Sequence, residues 1–150
     1  MVIAKLYGRY LYHAVLGDST QMKWTANKIR CILVTSSYTP NQDTHEFYSQ
    51  ITAANELTTA NGYTVAGVDV TSQYASYSTN NVITLDCSDA VWANSTITAR
   101  YAVLYDQSSG GTSASQVLIG YIDFEADQSS SSGTFTVQWS TAGVVAITVA

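Results

Sequence analysis

The one local cluster of residue types that bind metals or transfer protons is Asp43-Thr44-His45-Glu46, and His13 is the only other histidine in the chain. A metal site needs about three or four ligands that converge with defined geometry. Acidic residues in the first turn of a helix are already favoured by the helix dipole. We therefore interpret Asp43 or Thr44 as the cap of a short helix, and we predict neither a metal site nor a cofactor.

Three carboxylates alternate near the end of a predicted strand, at Asp123, Glu125 and Asp127. Asp123 and Glu125 would project from the same face, as a glycosidase pair or a calcium site requires. Such residues more often form the solvated end of a strand that enters a Ser-rich loop. The sequence also lacks zinc-binding, phosphate-loop and nucleophile-elbow motifs. We expect no catalytic residues, and the protein is not predicted to be an enzyme.

Arg100 is the only basic residue after position 30. It lies in the middle of a predicted strand, where an unpaired buried charge would be very costly. We predict that Arg100 pairs with a carboxylate, which could belong to the same chain or to a neighbouring subunit.

The two cysteines, Cys31 and Cys87, lie in apolar predicted strands and resemble small buried residues. A single pair does not establish a disulfide, so the bond stays open. The segment Met1–Lys5 interrupts a short apolar run with a charge, unlike a secretory signal. Since no run approaches the length of a membrane span, we expect synthesis in a cytoplasm and no membrane partner.

Charge is segregated along the chain: the first 30 residues carry a net charge of +4, and the rest carries −9. An acidic chain is a poor ligand for nucleic acid, because affinity for phosphates needs a basic face. The basic N-terminal residues could protect a sheet edge or form a docking patch. They are Lys5, Arg9, Lys23, Lys28 and Arg30.

The elements that must position these residues are mainly β-strands. About eight or nine short runs of alternating residues, separated by polar turns, predict an all-β antiparallel sandwich of jelly-roll type. One short helix is predicted near residues 43–51, and residues 2–16 are interpreted as a strand, although a helix is an alternative there. The length of 150 residues suits one domain spanning 1–150.

The C-terminal alternation predicts which side chains face the interior. Phe135, Val137 and Trp139 alternate with polar residues, so we expect them to be buried. Their expected neighbours are Tyr101, Val103, Ile119 and Tyr121.

Five segments between about Lys28 and the C-terminus carry a sequence resemblance. They are residues 32–46, 55–67, 92–106, 118–124 and 135–143. These segments resemble a family of small structural proteins of tailed bacteriophage virions, the capsid decoration or cement type.

The resemblance implies a virion structural protein on the capsid exterior, bound to the major capsid protein and assembled as a homotrimer. Because a capsid exterior is usually acidic, the basic N-terminal residues listed above are the candidate docking group. A tail or neck component is the alternative within this class. A carbohydrate-binding or receptor-binding β-sandwich module is the alternative outside it.

Overall fold

A computed structural model describes residues 3–16, 23–109 and 111–148. Within these ranges the chain forms β-strands, one α-helix, α1 (Gly8–Leu16), and two 3-10 turns, Tyr48–Gln50 and Gln107–Ser109. The strands are β1 Ile3–Leu6, β2 Ile29–Val34, β3 Val68–Asp69, β4 Tyr74–Tyr77, β5 Val82–Asp86, β6 Ala90–Ser95, β7 Thr98–Asp106, β8 Leu118–Ser129, β9 Gly133–Val137 and β10 Val145–Thr148.

The strands form antiparallel sheets of five, three and two strands, in the orders β1-β8-β7-β2-β3, β10-β5-β4 and β6-β9. The larger buried cluster lies between one face of the five-stranded sheet and the β6-β9 pair, to which Trp92 and Phe135 contribute. A second cluster covers the opposite face, around Ile32, Val103 and Leu118. The predicted all-β, sandwich-like class is confirmed.

Burial of both faces of the five-stranded sheet explains an error in the predicted core. Phe135 and Val137 are buried with Ile119 in the larger cluster, as expected, while Trp139 is only half-buried at its margin. The three other expected neighbours, Tyr101, Val103 and Tyr121, lie on the opposite face. A strand that is apolar on both sides does not reveal which side faces which partner.

The helical content lies mainly where a strand was predicted. The α-helix of the described residues occupies 8–16, and the predicted helix near residues 43–51 is present only as the 3-10 turn Tyr48–Gln50. The capping prediction was wrong: the Asn41 side-chain oxygen accepts hydrogen bonds from the N–H groups of Asp43 and Thr44, both at 3.0 Å. Asn forms this local turn as readily as Asp.

No helix in the described ranges is long and apolar enough to cross a membrane.

Cys31 and Cys87 are both free thiols, the first buried and the second half-buried. Burial raises the pKa of Cys87 to about 12, so little of this thiol is ionised near neutral pH.

Candidate docking surface on helix α1

Helix α1 exposes four of its five large apolar side chains. Leu11, Tyr12, Val15 and Leu16 have exposed fractions of 37%, 50%, 86% and 59%. Only Tyr10 of this helix is buried. Contiguous exposed apolar patches of this kind mark interaction sites more often than ordinary solvent-facing surface. We call these four residues the α1 surface.

A positive charge lies beside the α1 surface. The guanidinium of Arg9 is 5.4 Å from the centre of the Tyr12 ring, a cation–π geometry. Its Nε is 3.8 Å from an oxygen of Glu46, and its side chain remains exposed. Because an exposed pair at this distance contributes little, Arg9 stays available to an acidic partner.

Contacts with residues 42–47 hold α1 on the body of the protein. Nε2 of His13 is 2.7 Å from Oε1 of Glu46, and the His13 ring packs 6.2 Å from that of Phe47. The N–H of Gly8 donates to the Gln42 carbonyl at 2.9 Å, while the Gln42 amide donates to Leu6 O at 2.7 Å. The α1 surface therefore stands on a braced helix.

His45 belongs to a structural network at the corner between β1 and α1. The hydroxyls of Tyr7 and Tyr38 are 2.8 Å apart, and the Tyr38 hydroxyl is 2.8 Å from Nδ1 of His45. The N–H of Asn41 also donates to Nδ1, at 3.3 Å. Burial lowers the pKa of His45 and raises that of Tyr38 to about 12. A neutral His45 ring can thus accept both hydrogen bonds.

The five basic residues predicted to dock do not form one patch. Lys5 lies on β1 at one edge of the five-stranded sheet, while Arg30 lies on β2, beyond β8 and β7. Lys23 and Lys28 are exposed on the segment that precedes β2. Their nearness in sequence therefore does not become nearness in space.

Two of these basic residues share a carboxylate of the same chain. Nζ of Lys28 is 3.3 Å from Asp69, and Nε of Arg30 is 3.0 Å from it. Arg30 also donates to the Gly67 carbonyl at 2.7 Å. Of the five predicted docking residues, Lys5 and Arg9 are the closest in sequence to the α1 surface, since Lys5 lies on β1 and Arg9 on α1 itself.

The carboxylate that pairs with Arg100 belongs to the same chain. Nε of Arg100 donates to Oδ1 of Asp123 at 2.7 Å, and this hydrogen bond holds the pKa of Asp123 below its usual value. The Glu125 N–H donates to the same oxygen at 2.7 Å. Glu125 has φ of 64°, which is not an extended strand conformation. The regular alternation that would place Asp123 and Glu125 on the same face of the strand is therefore broken. The described residues contain no group of three or more potential metal ligands.

A buried carboxylate that the sequence did not single out organises the loop after β2. Oε1 of Glu56 accepts hydrogen bonds from the Tyr63 hydroxyl and the Ala66 N–H, both at 2.7 Å. Oε2 accepts one from the Tyr48 hydroxyl at 2.5 Å. Glu56 precedes a polar stretch, and only its three tertiary donors distinguish it from an ordinary surface acid.

A cavity of about 580 Å³ opens between β1, β8 and the segment 138–146. Its walls are mainly apolar and include Leu6, Ile119, Trp139 and Val144, with Lys5 also contributing. The cavity explains why Trp139 is only half-buried.

No protein-family model, curated protein or solved structure matches this chain.

Proposed function

We propose that the protein is a virion structural protein of a tailed phage, a decoration or cement protein that binds the outer capsid as a homotrimer. The sequence resemblance supports the class, and the α1 surface supports attachment to a large protein partner, the major capsid protein. The observation that carries the proposal is an apolar, positively charged helix face with no intrachain cover among the described residues.

The chemistry of the α1 surface fits an acidic shell with apolar patches. Burial of an exposed Val or Leu side chain contributes about 1.5 to 3 kcal/mol. Arg9 adds an electrostatic attraction that a mostly acidic body would otherwise lack. Repetition over many sites on one particle converts such modest contacts into firm clamping of neighbouring capsomers.

The test is decoration of capsids that lack the protein, with Val15→Asp as the principal variant. Val15 is 86% exposed, so the substitution leaves the fold intact. It places a charge in the docking contact and should weaken binding by at least about tenfold. Val91→Asp is the matched control, because Val91 is an apolar residue that is 47% exposed and lies on β6, not on α1.

Equal decoration by the parent and Val15→Asp would refute docking through α1. Arg9→Glu should also weaken binding, most strongly at low salt, where screening is least. If both variants bind as the parent does, attachment must lie elsewhere.

The tail or neck alternative differs in copy number. A cement protein is present at the many equivalent positions of the shell, whereas a neck or tail protein is confined to one vertex. Gel densitometry of purified virions separates the two.

A sugar-binding role would use exposed aromatic rings such as Tyr74 and Tyr77 on β4. These two residues are three positions apart in a strand, so their rings face opposite sides of the sheet. Each side of the sheet would therefore offer a single ring for a sugar to stack on. A glycan array with the parent and Tyr77→Ala tests this alternative.

A further inference from the structure

We infer that the edge of β4 pairs with β4 of a second copy of this chain, in antiparallel register about a twofold axis. The inference does not depend on capsid attachment. A twofold contact cannot close the proposed trimer, so within that proposal the pairing would connect one trimer with the next.

The edge of β4 is open. β4 is the outer strand of the order β10-β5-β4, and no strand in the described ranges lies on its other side. The Ser78 N–H donates to Val82 O at 2.9 Å, and the ladder alternates from that pair through Ser76 opposite Thr84. The N–H and C=O groups of Ala75 and Tyr77 therefore point to the open edge.

This edge lacks the usual protection against pairing. Residues 70–85 contain no charged residue and no proline. The outer strands β1 and β3 carry Lys5 and Asp69, the kind of charge that protects an edge. In β4 all four residues are exposed, and Tyr77 is 67% exposed.

Charge does not oppose a second copy at this place. Two copies with a net charge of −5 repel each other over most of their surfaces. The hairpin of β4 and β5 brings no like charges together until Asp86, which pairs with Tyr74 at the far end of the strand. In an antiparallel pair the two Asp86 side chains lie toward opposite ends.

One register uses both outward-pointing residues of β4. Directly opposed residues must share a face, and the outward-pointing residues must oppose each other. Among the registers that meet these rules, the one with Ala75 opposite Tyr77 of the partner copy, and Ser76 opposite its own counterpart, keeps both hydrogen-bonded pairs within β4. This register forms four backbone hydrogen bonds and places each large Tyr77 ring over a small Ala75.

The same register continues an apolar row that is incomplete in one copy. Tyr77, Ile83 and Ile147 lie side by side across β4, β5 and β10. Ile83 and Ile147 are half-buried and outside both core clusters. In the paired sheet this row meets Ala75 and Leu85 of the second copy.

Disulfide trapping tests the pairing, because directly opposed residues have the Cα separation that a disulfide needs. Ser76→Cys should form a covalent dimer at least about tenfold faster than Thr79→Cys, an exposed control in the same hairpin. The parent gives the background from Cys31 and Cys87. Trapping suits a contact too small to be stable in dilute solution.

Ala75→Pro in the Ser76→Cys chain is the decisive second variant. The Ala75 N–H points to the open edge, so proline removes an intermolecular donor without breaking the bonds to β5. Circular dichroism checks that the fold is kept. We expect cross-linking to fall to the Thr79→Cys rate.

Three outcomes would overturn the inference. The first is cross-linking of Ser76→Cys no faster than the control, and the second is cross-linking that Ala75→Pro leaves unchanged. The third is capture of a different virion protein by the Ser76→Cys chain without the dimer, which would assign the edge to that protein instead.

Discussion

Replacing Glu56 tests whether hydrogen bonding to a buried carboxylate stabilises the loop after β2. Glu56→Ala removes the acceptor of three donors, the hydroxyls of Tyr63 and Tyr48 and the N–H of Ala66. The Tyr63 hydroxyl is buried, and the Ala66 N–H is half-buried. Tyr48 is half-buried, so its hydroxyl can turn to water.

The expected loss follows from these three environments. A buried donor left unsatisfied costs about 1 to 3 kcal/mol. The buried Tyr63 hydroxyl contributes this cost in full, the half-buried Ala66 N–H contributes somewhat less, and the Tyr48 hydroxyl can turn to water. We therefore predict that Glu56→Ala lowers the free energy of unfolding by roughly 2 to 5 kcal/mol. Against a total stability of about 5 to 15 kcal/mol, this is a large fraction.

Glu56→Gln separates the hydrogen bonds from the charge. The Gln oxygen can replace Oε1 and keep Tyr63 and Ala66, while its amide can donate to the Tyr48 oxygen. We expect a loss of about 1 kcal/mol or less. Asp43→Asn, at an exposed position, is the control for removing an acid and should stay within about 0.5 kcal/mol of the parent.

The assay is urea unfolding followed by tryptophan fluorescence, with slopes compared to confirm that the transition type is unchanged. Glu56→Ala within about 0.5 kcal/mol of the parent would refute the reasoning. A loss in Glu56→Gln as large as that in Glu56→Ala would show that the charge matters, and not the acceptor geometry.

Three further predictions use the same measurement. Phe135→Ala should cost about 3 to 5 kcal/mol, and Trp139→Ala less, because Trp139 is half-buried beside an existing cavity. Asn41→Ala should cost about 0.5 to 2 kcal/mol through loss of two side-chain hydrogen bonds, and Asp43→Ala almost nothing; the reverse order would restore Asp43 as the cap. Arg100→Gln should flatten the acid side of the plot of unfolding free energy against pH. The lowered pKa of Asp123 contributes stability above the ordinary aspartate pKa of 3.8, and this stability is lost as the pH falls through the pKa of the folded protein. An acid side unchanged by the substitution would contradict the pairing of Arg100 with Asp123.

The class of the fold was predictable because it rests on local information. Short runs of alternating residues separated by polar turns indicated an antiparallel β protein, and the described residues form antiparallel sheets of five, three and two strands. The prediction that Arg100 pairs with a carboxylate also followed from the sequence alone, since an unpaired buried charge in the middle of a strand would be very costly.

Helix α1 shows where local pattern fails. Residues 8–16 contain apolar side chains at spacings that fit either a strand or a helix. The choice depends on Tyr10 and His13, one helical turn apart, which both point at the body of the protein, and on Glu46, which binds His13. Glu46 and the body of the protein that Tyr10 and His13 contact are distant from α1 in sequence, so no short segment around α1 contains them.

The location of the candidate binding surfaces also depended on tertiary structure. The sequence by itself determined that the N-terminal residues are basic, that residues 70–85 carry no charge, and that the chain is built of strands. Tertiary structure alone decided that Lys28 and Arg30 share the carboxylate of Asp69, that α1 exposes its apolar side, and that β4 lies at an open edge. The physical reason is that charge and propensity are properties of each residue, whereas pairing, burial and exposure depend on which distant residues the fold brings together.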